Sequence, residues 1–230
     1  MVTRFLVPAL LGVGLVLAPG GPSGLALAAG TIDPASFSAT VDNPWYPLKP
    51  GMVLTYSGAK DNKPAARVVT VTSTTKVVGG VTCAVVKDEV ALAGKLADRT
   101  TSYYAQDRDG NVWTFGEDVQ EFNSQGKVAK TEGWQVGVDG AEPSLIMEAK
   151  PTVGHTIIHK YTNNYVEVIN LAKAVKVPFM TYQGALQVKE WTPDEPDVLV
   201  HKYYARGVGE VRDVTLKGDQ EEFMLVSVKP

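Results

Sequence analysis

The segment YYAQDRDGNVWTFGED, from Tyr103 to Asp118, contains the acidic run that most resembles an ion site. Asp107 and Asp109 are spaced like the first two oxygen ligands of a calcium-binding EF-hand loop. When Asp107 is taken as the first position, however, Gly110 falls two places too early, and Asp118 stands where that loop needs glutamate. An Asp-Gly pair between two segments rich in β-branched and aromatic residues is a strong hairpin signal. We therefore predict a tight turn here rather than a metal site.

Three ionisable residues lie on strand faces that are otherwise apolar. In VTCAVVKDEVAL, Asp88 alternates with Val86 and Val90, and the same parity places Glu190 and His201 among apolar neighbours. A buried carboxylate costs several kcal/mol unless it is paired or hydrogen-bonded. We expect a partner for Asp88, with Arg99, Lys87 or a tyrosine hydroxyl as candidates.

The same pattern allows three interpretations. The face that carries these residues faces water, or the residues form a structural ion pair, or they contact a ligand or a reacting group. In the last case Asp88, Glu190 and His201 would serve as acids or bases of a hydrolase or isomerase. That alternative requires at least two of them to meet around one pocket.

Sequence motifs for other chemistry are absent. The chain has no Gly-x-Ser-x-Gly, His-Glu-x-x-His, Cys-x-x-Cys, phosphate-binding or dinucleotide motif. His155 and His159 are about 13 Å apart if they lie on one strand, too far to share a metal ion. Cys83, the single cysteine, lies between apolar residues, which favours a small buried side chain over a reactive thiol. We predict no metal and no cofactor.

The elements that must position these residues are short strands. Segments of five to twelve residues rich in Val, Thr, Tyr, Phe and Trp alternate with Gly, Pro, Asn and Asp along the chain. This spacing predicts a mainly all-β fold, an antiparallel meander. VINLAKAVKV is the nearest approach to a helix, with a strand equally compatible, and residues 137–151 form a looser region that could lie over the sheet or across a cavity mouth.

The first residues have the pattern of a secretory signal peptide. Arg4 precedes an apolar run of about 13 residues, and Ala26 and Ala28 suit a cleavage site. We predict a signal peptide over residues 1–28, a flexible lead-in over 29–42 and a single β domain over 43–230. No cysteine lies near the cleavage site, so a lipid anchor is not expected. The expected location is secreted or extracytoplasmic. The rest of the chain has no segment apolar enough to be a transmembrane helix.

Charge and composition argue against polyanionic partners. The 230 residues carry 22 basic and 25 acidic side chains, with no block of like charges. Nucleic acids and anionic membranes select clustered Lys and Arg. We expect neither as a partner, and composition does not predict the oligomeric state.

Two segments carry a family resemblance. NPWYPLKPGMVLTYSG, Asn43 to Gly58, resembles the opening of a group of uncharacterised secreted bacterial proteins, and KYYARGVGEVRDV, Lys202 to Val214, is similar to their turn before the closing hairpin. The resemblance implies a strongly curved antiparallel sheet or half-barrel like that of periplasmic lipoprotein carriers. Its apolar concavity would be covered by a short helix or long loop. No catalytic residues come with it.

The resemblance and the strand pattern together predict a non-catalytic binding protein for a lipid-like or other small hydrophobic ligand. A structural or adhesive envelope module without a cavity is a further alternative. Tyr and Trp side chains suit a binding site with an apolar interior and a solvent-exposed edge. The candidate ligand-binding residues are Asp88, Tyr104, Trp113, Glu190, Trp191 and Tyr203.

Overall fold

The computed structural model describes residues 33–159 and 161–230. The predicted signal peptide lies outside them. A 3-10 helix, Pro34–Ser36, is followed by a chain of strands. The strands are β1 (Phe37–Ser38), β2 (Val53–Lys60), β3 (Lys63–Val78), β4 (Val81–Leu92), β5 (Lys95–Asp107), β6 (Val112–Phe122), β7 (Val128–Gln135), β8 (Ser144–Met147), β9 (Thr156–His159), β10 (Asn164–Lys176), β11 (Thr181–Trp191), β12 (Leu199–Ala205), β13 (Gly209–Lys217) and β14 (Glu221–Lys229).

These strands form one antiparallel sheet, which confirms the predicted fold class. Its order is β7-β6-β5-β4-β3-β2-β14-β13-β12-β11-β10-β9, with β1 added to β5 and β8 added to β6. Along this order, strands that are neighbours in space are also neighbours in sequence, as in a meander. The exception is the centre, where β14 pairs with β2. The outer strands β7 and β9 do not pair with each other in the described part of the chain, so the sheet stays open.

The sheet is strongly curved. Arg67 of β3 forms an ion pair with Glu210 of β13, although β2 and β14 lie between their strands. Three strand spacings of about 4.8 Å would put the two backbones about 14 Å apart in a flat sheet. The contact therefore requires the sheet to bend toward the side on which both side chains project. We call this side the concave face.

Strand alternation decides which residues reach the concave face. In β3 and β4, Val69 pairs with Asp88 and Val71 with Val86, so these positions and Arg67 share one side. The main hydrophobic core lies on this side and joins Tyr56, Leu186 and Leu225 with Trp45 of the preceding segment. A smaller core on β4, β5 and β6 includes Cys83, Tyr103 and Phe115.

The acidic run at Asp107 is the predicted hairpin turn between β5 and β6. Asp107 accepts hydrogen bonds from the backbone N–H groups of Asp109 and Asn111, at 2.9 and 2.8 Å, and from the indole N–H of Trp113, at 2.8 Å. Gly110 takes a φ of +87°, which glycine adopts without strain. The carboxylate thus holds the turn together, and these bonds outweigh the effect of partial burial and lower its pKa.

Two segments are more ordered than the sequence indicates. Phe37–Ser38, within the segment expected as a flexible lead-in, pairs with β5. The looser region over residues 137–151 contains Ser144–Met147, which pairs with β6. VINLAKAVKV, apart from Val177, lies in the strand Asn164–Lys176, which pairs with β11 through a ladder with three register shifts. No described helix is long and apolar enough to cross a membrane.

Candidate functional site

A belt of charged side chains crosses the concave face, and we call it the charged belt. It runs over strands β3, β4, β11, β12 and β13, which the curvature of the sheet brings near one another. Its members are Arg67, Asp88, Glu190, Lys202, Glu210 and Asp213.

Arg67 is the centre of the belt. Its Nε donates to Asp88 Oδ2 at 2.9 Å, its Nη2 lies 2.7 Å from the same oxygen, and its Nη1 donates to Glu210. The guanidinium also lies 5.2 Å from the ring centre of Tyr56, whose hydroxyl donates to the Glu210 backbone carbonyl at 2.9 Å. Burial alone would lower the pKa of Arg67, but the carboxylates of Asp88 and Glu210 outweigh it and raise that pKa well above its usual value. One cation is therefore shared by two carboxylates.

Lys202 forms the second pair of the belt. Its Nζ lies 2.8 Å from Glu190 Oε2, and it sits directly opposite Asp213 across the β12–β13 ladder. Burial would lower the pKa of Lys202, but Glu190 and Asp213 raise it well above the ordinary value.

Asp213 differs from the other carboxylates of the belt. Among the described residues it forms no hydrogen bond and no ion pair within 4 Å, since Lys202 is committed to Glu190 and Arg67 to Asp88 and Glu210. Burial raises the pKa of Asp213 to about 7, with Glu210 and Glu190 acting in the same direction and Lys202 and Arg67 opposing it. Burial therefore stabilises the protonated form of this carboxyl group.

On one side of the belt lies a cavity of about 200 Å³, which we call the main cavity. Three tyrosine rings line it: Tyr46 lies 5.6 Å from Tyr104 and 6.3 Å from Tyr204, measured between ring centres. Val69, Val86, Ile146 and Val166 add apolar surface. On the other side, a smaller cavity of about 110 Å³ is lined by Asp213, Asp88 and Lys60 among others.

The main cavity also contains buried polar atoms without a protein partner. They are Trp134 Nε1, His159 Nε2, Thr162 Oγ1 and Asn164 Oδ1. Trp134 and Thr162 are only 7% and 8% exposed, so their polar atoms are withdrawn from bulk solvent. Buried polar groups in native proteins almost always have a hydrogen-bond partner, which is supplied by protein, water or ligand.

The β9–β10 hairpin positions three of these atoms. His159 and Asn164 are partners across the hairpin, and the backbone N–H of Thr162 donates to the His159 carbonyl at 3.2 Å. Tyr161, in the same turn, stacks on Trp134 with ring centres 5.0 Å apart. The hairpin therefore directs a compact polar group at one end of the main cavity.

Three of the predicted site residues reach the main cavity. Asp88, Tyr104 and Glu190 line it, as strand parity suggested for the two acids. The partner of Asp88 is Arg67, which was not among the expected candidates. Of those candidates, Arg99 pairs with Glu89 instead, at 2.7 Å.

The other predicted residues lie elsewhere. Trp113 packs beside Phe37 and donates to Asp107 in the hairpin turn. Trp191 stacks on Tyr165 with ring centres 5.4 Å apart. Tyr203 and His201 share the face opposite Lys202, where each lies within 3.2 Å of the Gln187 amide nitrogen. His201 therefore does not meet Asp88 and Glu190.

Four residues of the belt were not among the predicted site residues: Arg67, Lys202, Glu210 and Asp213. Parity supplies a signal for two of them, because Arg67 alternates with Val69 and Val71 in ARVVTV, and Lys202 alternates with Val200 and Tyr204. Glu210 and Asp213 fall on one side of β13 only because the register shifts between Tyr203 and Tyr204, which no periodicity indicates.

The chain matches no family model and no curated protein. Two solved structures are similar to it in fold. One is a protein from Bacteroides fragilis, inferred to be exported and described as having a YmcC-like fold: it is 14% identical, with a TM-score of 0.49, and the match covers 81% of this chain and 99% of that one. The other is an inferred lipoprotein from Parabacteroides distasonis: it is 12% identical, with a TM-score of 0.44, and the match covers 80% and 97% of the two chains.

Proposed function

We propose that this protein is an extracytoplasmic, non-catalytic binding protein that takes a small ligand into the main cavity. The observation that carries the proposal is the set of four buried polar atoms without a protein partner that line this cavity. Ligand sites combine apolar surface with a few placed polar groups, and the main cavity has both. The location outside the cytoplasm rests on the signal-peptide pattern of residues 1–28.

The size and lining of the cavity define the kind of ligand. A volume of about 200 Å³ is below the roughly 300–1,000 Å³ of sites for drug-sized molecules. The charged belt also gives the concave face a polar character that the sequence did not predict, since Arg67 and Glu210 are 143 positions apart in the chain. We therefore propose a small molecule with an apolar body and a polar end, rather than a membrane lipid.

Three predicted residues have roles in this proposal. Tyr104, with Tyr46 and Tyr204, would contact the apolar body, and Asp88 and Glu190 would set the charge of the wall. Both acids are bound to their own cations, and His201 lies on the other face. This arrangement favours binding over acid–base chemistry, and the presence of a cavity argues against the purely structural module.

Native mass spectrometry of the protein purified from its own culture supernatant tests the proposal. We expect a co-purifying small mass that disappears on unfolding. The variant Val166→Phe, which fills the cavity from β10, should lose this mass, whereas Val128→Phe on exposed surface of β7 should retain it. Overpacking costs about 1–3 kcal/mol, so thermal melts must show that both variants are folded. A clean mass for the protein as secreted would overturn the proposal.

A further inference from the structure

The polar end of the main cavity has a specific pattern of donors and acceptors. Burial lowers the pKa of His159, against the opposing effects of Glu190 and of a hydrogen bond between its ring and the backbone of Leu145, so the ring is neutral at pH 7. A neutral imidazole has one donor and one acceptor nitrogen, and we take the unpartnered Nε2 as the acceptor. Asn164 Oδ1 is an acceptor, and the Thr162 hydroxyl can accept as well as donate. Three acceptors are therefore grouped on one hairpin.

These acceptors are close together. His159 and Asn164 are directly opposite in the β9–β10 ladder, a position in which Cβ atoms lie about 4.5–5.5 Å apart. Thr162 belongs to the turn that joins the two strands. The three side chains therefore project from neighbouring positions of one hairpin, and all three line the main cavity.

The charge of the surrounding wall selects the sign of the ligand. Asp88, Glu190 and Glu210 face the main cavity with only Arg67 and Lys202 as opposing cations of the belt. An anionic ligand would meet an excess of carboxylates, whereas a cation would be favoured. The described residues bring together no group of three or more His, Cys, Asp or Glu side chains suited to a metal ion. The tyrosine rings of Tyr46, Tyr104 and Tyr204 can stabilise an organic cation through their faces.

From this pattern we infer that the polar end of the ligand is a primary ammonium group, held by His159 Nε2, Thr162 Oγ1 and Asn164 Oδ1. The inference rests on the proposed function and names its ligand class. Three acceptors match the three N–H donors of a primary ammonium. Trp134 Nε1 is a donor only, so it suits an acceptor atom elsewhere on the ligand, such as a hydroxyl or carbonyl oxygen.

Three benzyl compounds of similar size test the inference: benzylamine, benzyl alcohol and benzyltrimethylammonium. Benzylamine offers charge and three donors, benzyl alcohol one uncharged donor, and the trimethyl compound charge without donors. A hydrogen bond to a charged group contributes about 1.5–3 kcal/mol, so benzylamine should bind about 10 to 100 times more tightly than benzyl alcohol in calorimetric titrations. Benzylamine should also bind more tightly than benzyltrimethylammonium.

The variants Thr162→Val and Asn164→Leu remove acceptors from the site. Each should weaken benzylamine binding about tenfold or more while leaving the melting temperature unchanged or higher, because a buried polar atom without a protein partner is replaced by an apolar one. Thr192→Val is the matched control: Thr192 is buried, but its Oγ1 accepts from the Asp194 N–H at 3.3 Å. It should lower the melting temperature and leave binding unchanged.

Equal affinity for benzylamine and benzyl alcohol would overturn the inference, and so would unchanged benzylamine binding by both cavity variants. Failure of all three compounds to bind would overturn it too. None of these results affects the proposed function, which depends separately on the small mass that co-purifies with the secreted protein. If that mass is found and lacks an amine, the inference falls and the proposed function stands.

Discussion

The carboxyl group of Asp213 should make the stability of this protein fall as pH rises toward neutral. Its folded pKa is about 7, against a value of 3.8 for an unperturbed aspartate. Between these values the folded state binds more protons than the unfolded state, so the free energy of unfolding decreases as pH increases. A difference of about three pKa units at 1.36 kcal/mol each gives an upper limit of about 4 kcal/mol.

The substitution Asp213→Asn isolates this effect. An amide has nearly the shape of the protonated carboxyl and does not titrate, so the variant should match the wild type in stability near pH 4. As pH rises, the free energy of unfolding of the variant should exceed that of the wild type by a growing amount, up to about 4 kcal/mol by pH 8. The other acids titrate in both proteins, so the difference between the two curves belongs to Asp213 and the groups it influences.

Urea unfolding followed by circular dichroism, at several pH values between about 4 and about 8, measures the difference. Asp219→Asn is the matched control, because Asp219 is an exposed carboxylate at the edge of the same small cavity. Its curve should run parallel to that of the wild type. If the Asp213→Asn curve is also parallel, the carboxyl is not held protonated by burial and the reasoning fails.

Three further measurements test the belt, the buried thiol and the centre of the sheet. Arg67→Met leaves two carboxylates without their cation and should cost about 3–5 kcal/mol in urea unfolding, whereas Arg99→Met in a half-exposed pair should cost at most about 1 kcal/mol; equal costs would contradict the role of the belt. Burial raises the pKa of Cys83 to about 12, so iodoacetamide should label it only when urea unfolds the protein, and rapid labelling of the native state would refute this. Gly58→Ala would place a Cβ 1.7 Å from the Glu222 carbonyl oxygen, so we expect loss of cooperative thermal unfolding. A variant that melts like the wild type would show that β2 and β14 separate easily.

Local sequence signals predicted the strands and the turn at Asp109-Gly110, because both depend on residues near one another in the chain. The same holds for Asp88, whose inward position follows from alternation within one strand. Its partner was not predicted, since Arg67 and Asp88 meet only after the register of the β3–β4 ladder is set. Adjacent strands can be aligned in several ways that periodicity does not distinguish.

The main cavity depends on longer-range features. The contact between Arg67 and Glu210 joins residues 143 positions apart and requires curvature of the whole sheet. Trp113, Trp191 and Tyr203 were chosen as aromatic strand residues, but strand alternation and the bulges direct them away from the concavity. The polar atoms of the β9–β10 hairpin were not predicted as a site, because His159 was considered only as a metal ligand and Thr162 is an ordinary turn residue.

The position of β14 has a consequence for how the protein forms. Strand β14, Glu221–Lys229, is inserted between β2 and β13, so the middle of the sheet joins two segments that lie far apart in the sequence. Until that strand arrives, β2 and β13 each expose an unpaired edge, which can associate with other chains. Folding must wait for a contact between distant parts of the sequence, which is slow. Removal of the strand Glu221–Lys229 should therefore divide the sheet into two halves and lead to aggregation, and fusion partners are better placed at the β6–β7 turn than next to this strand.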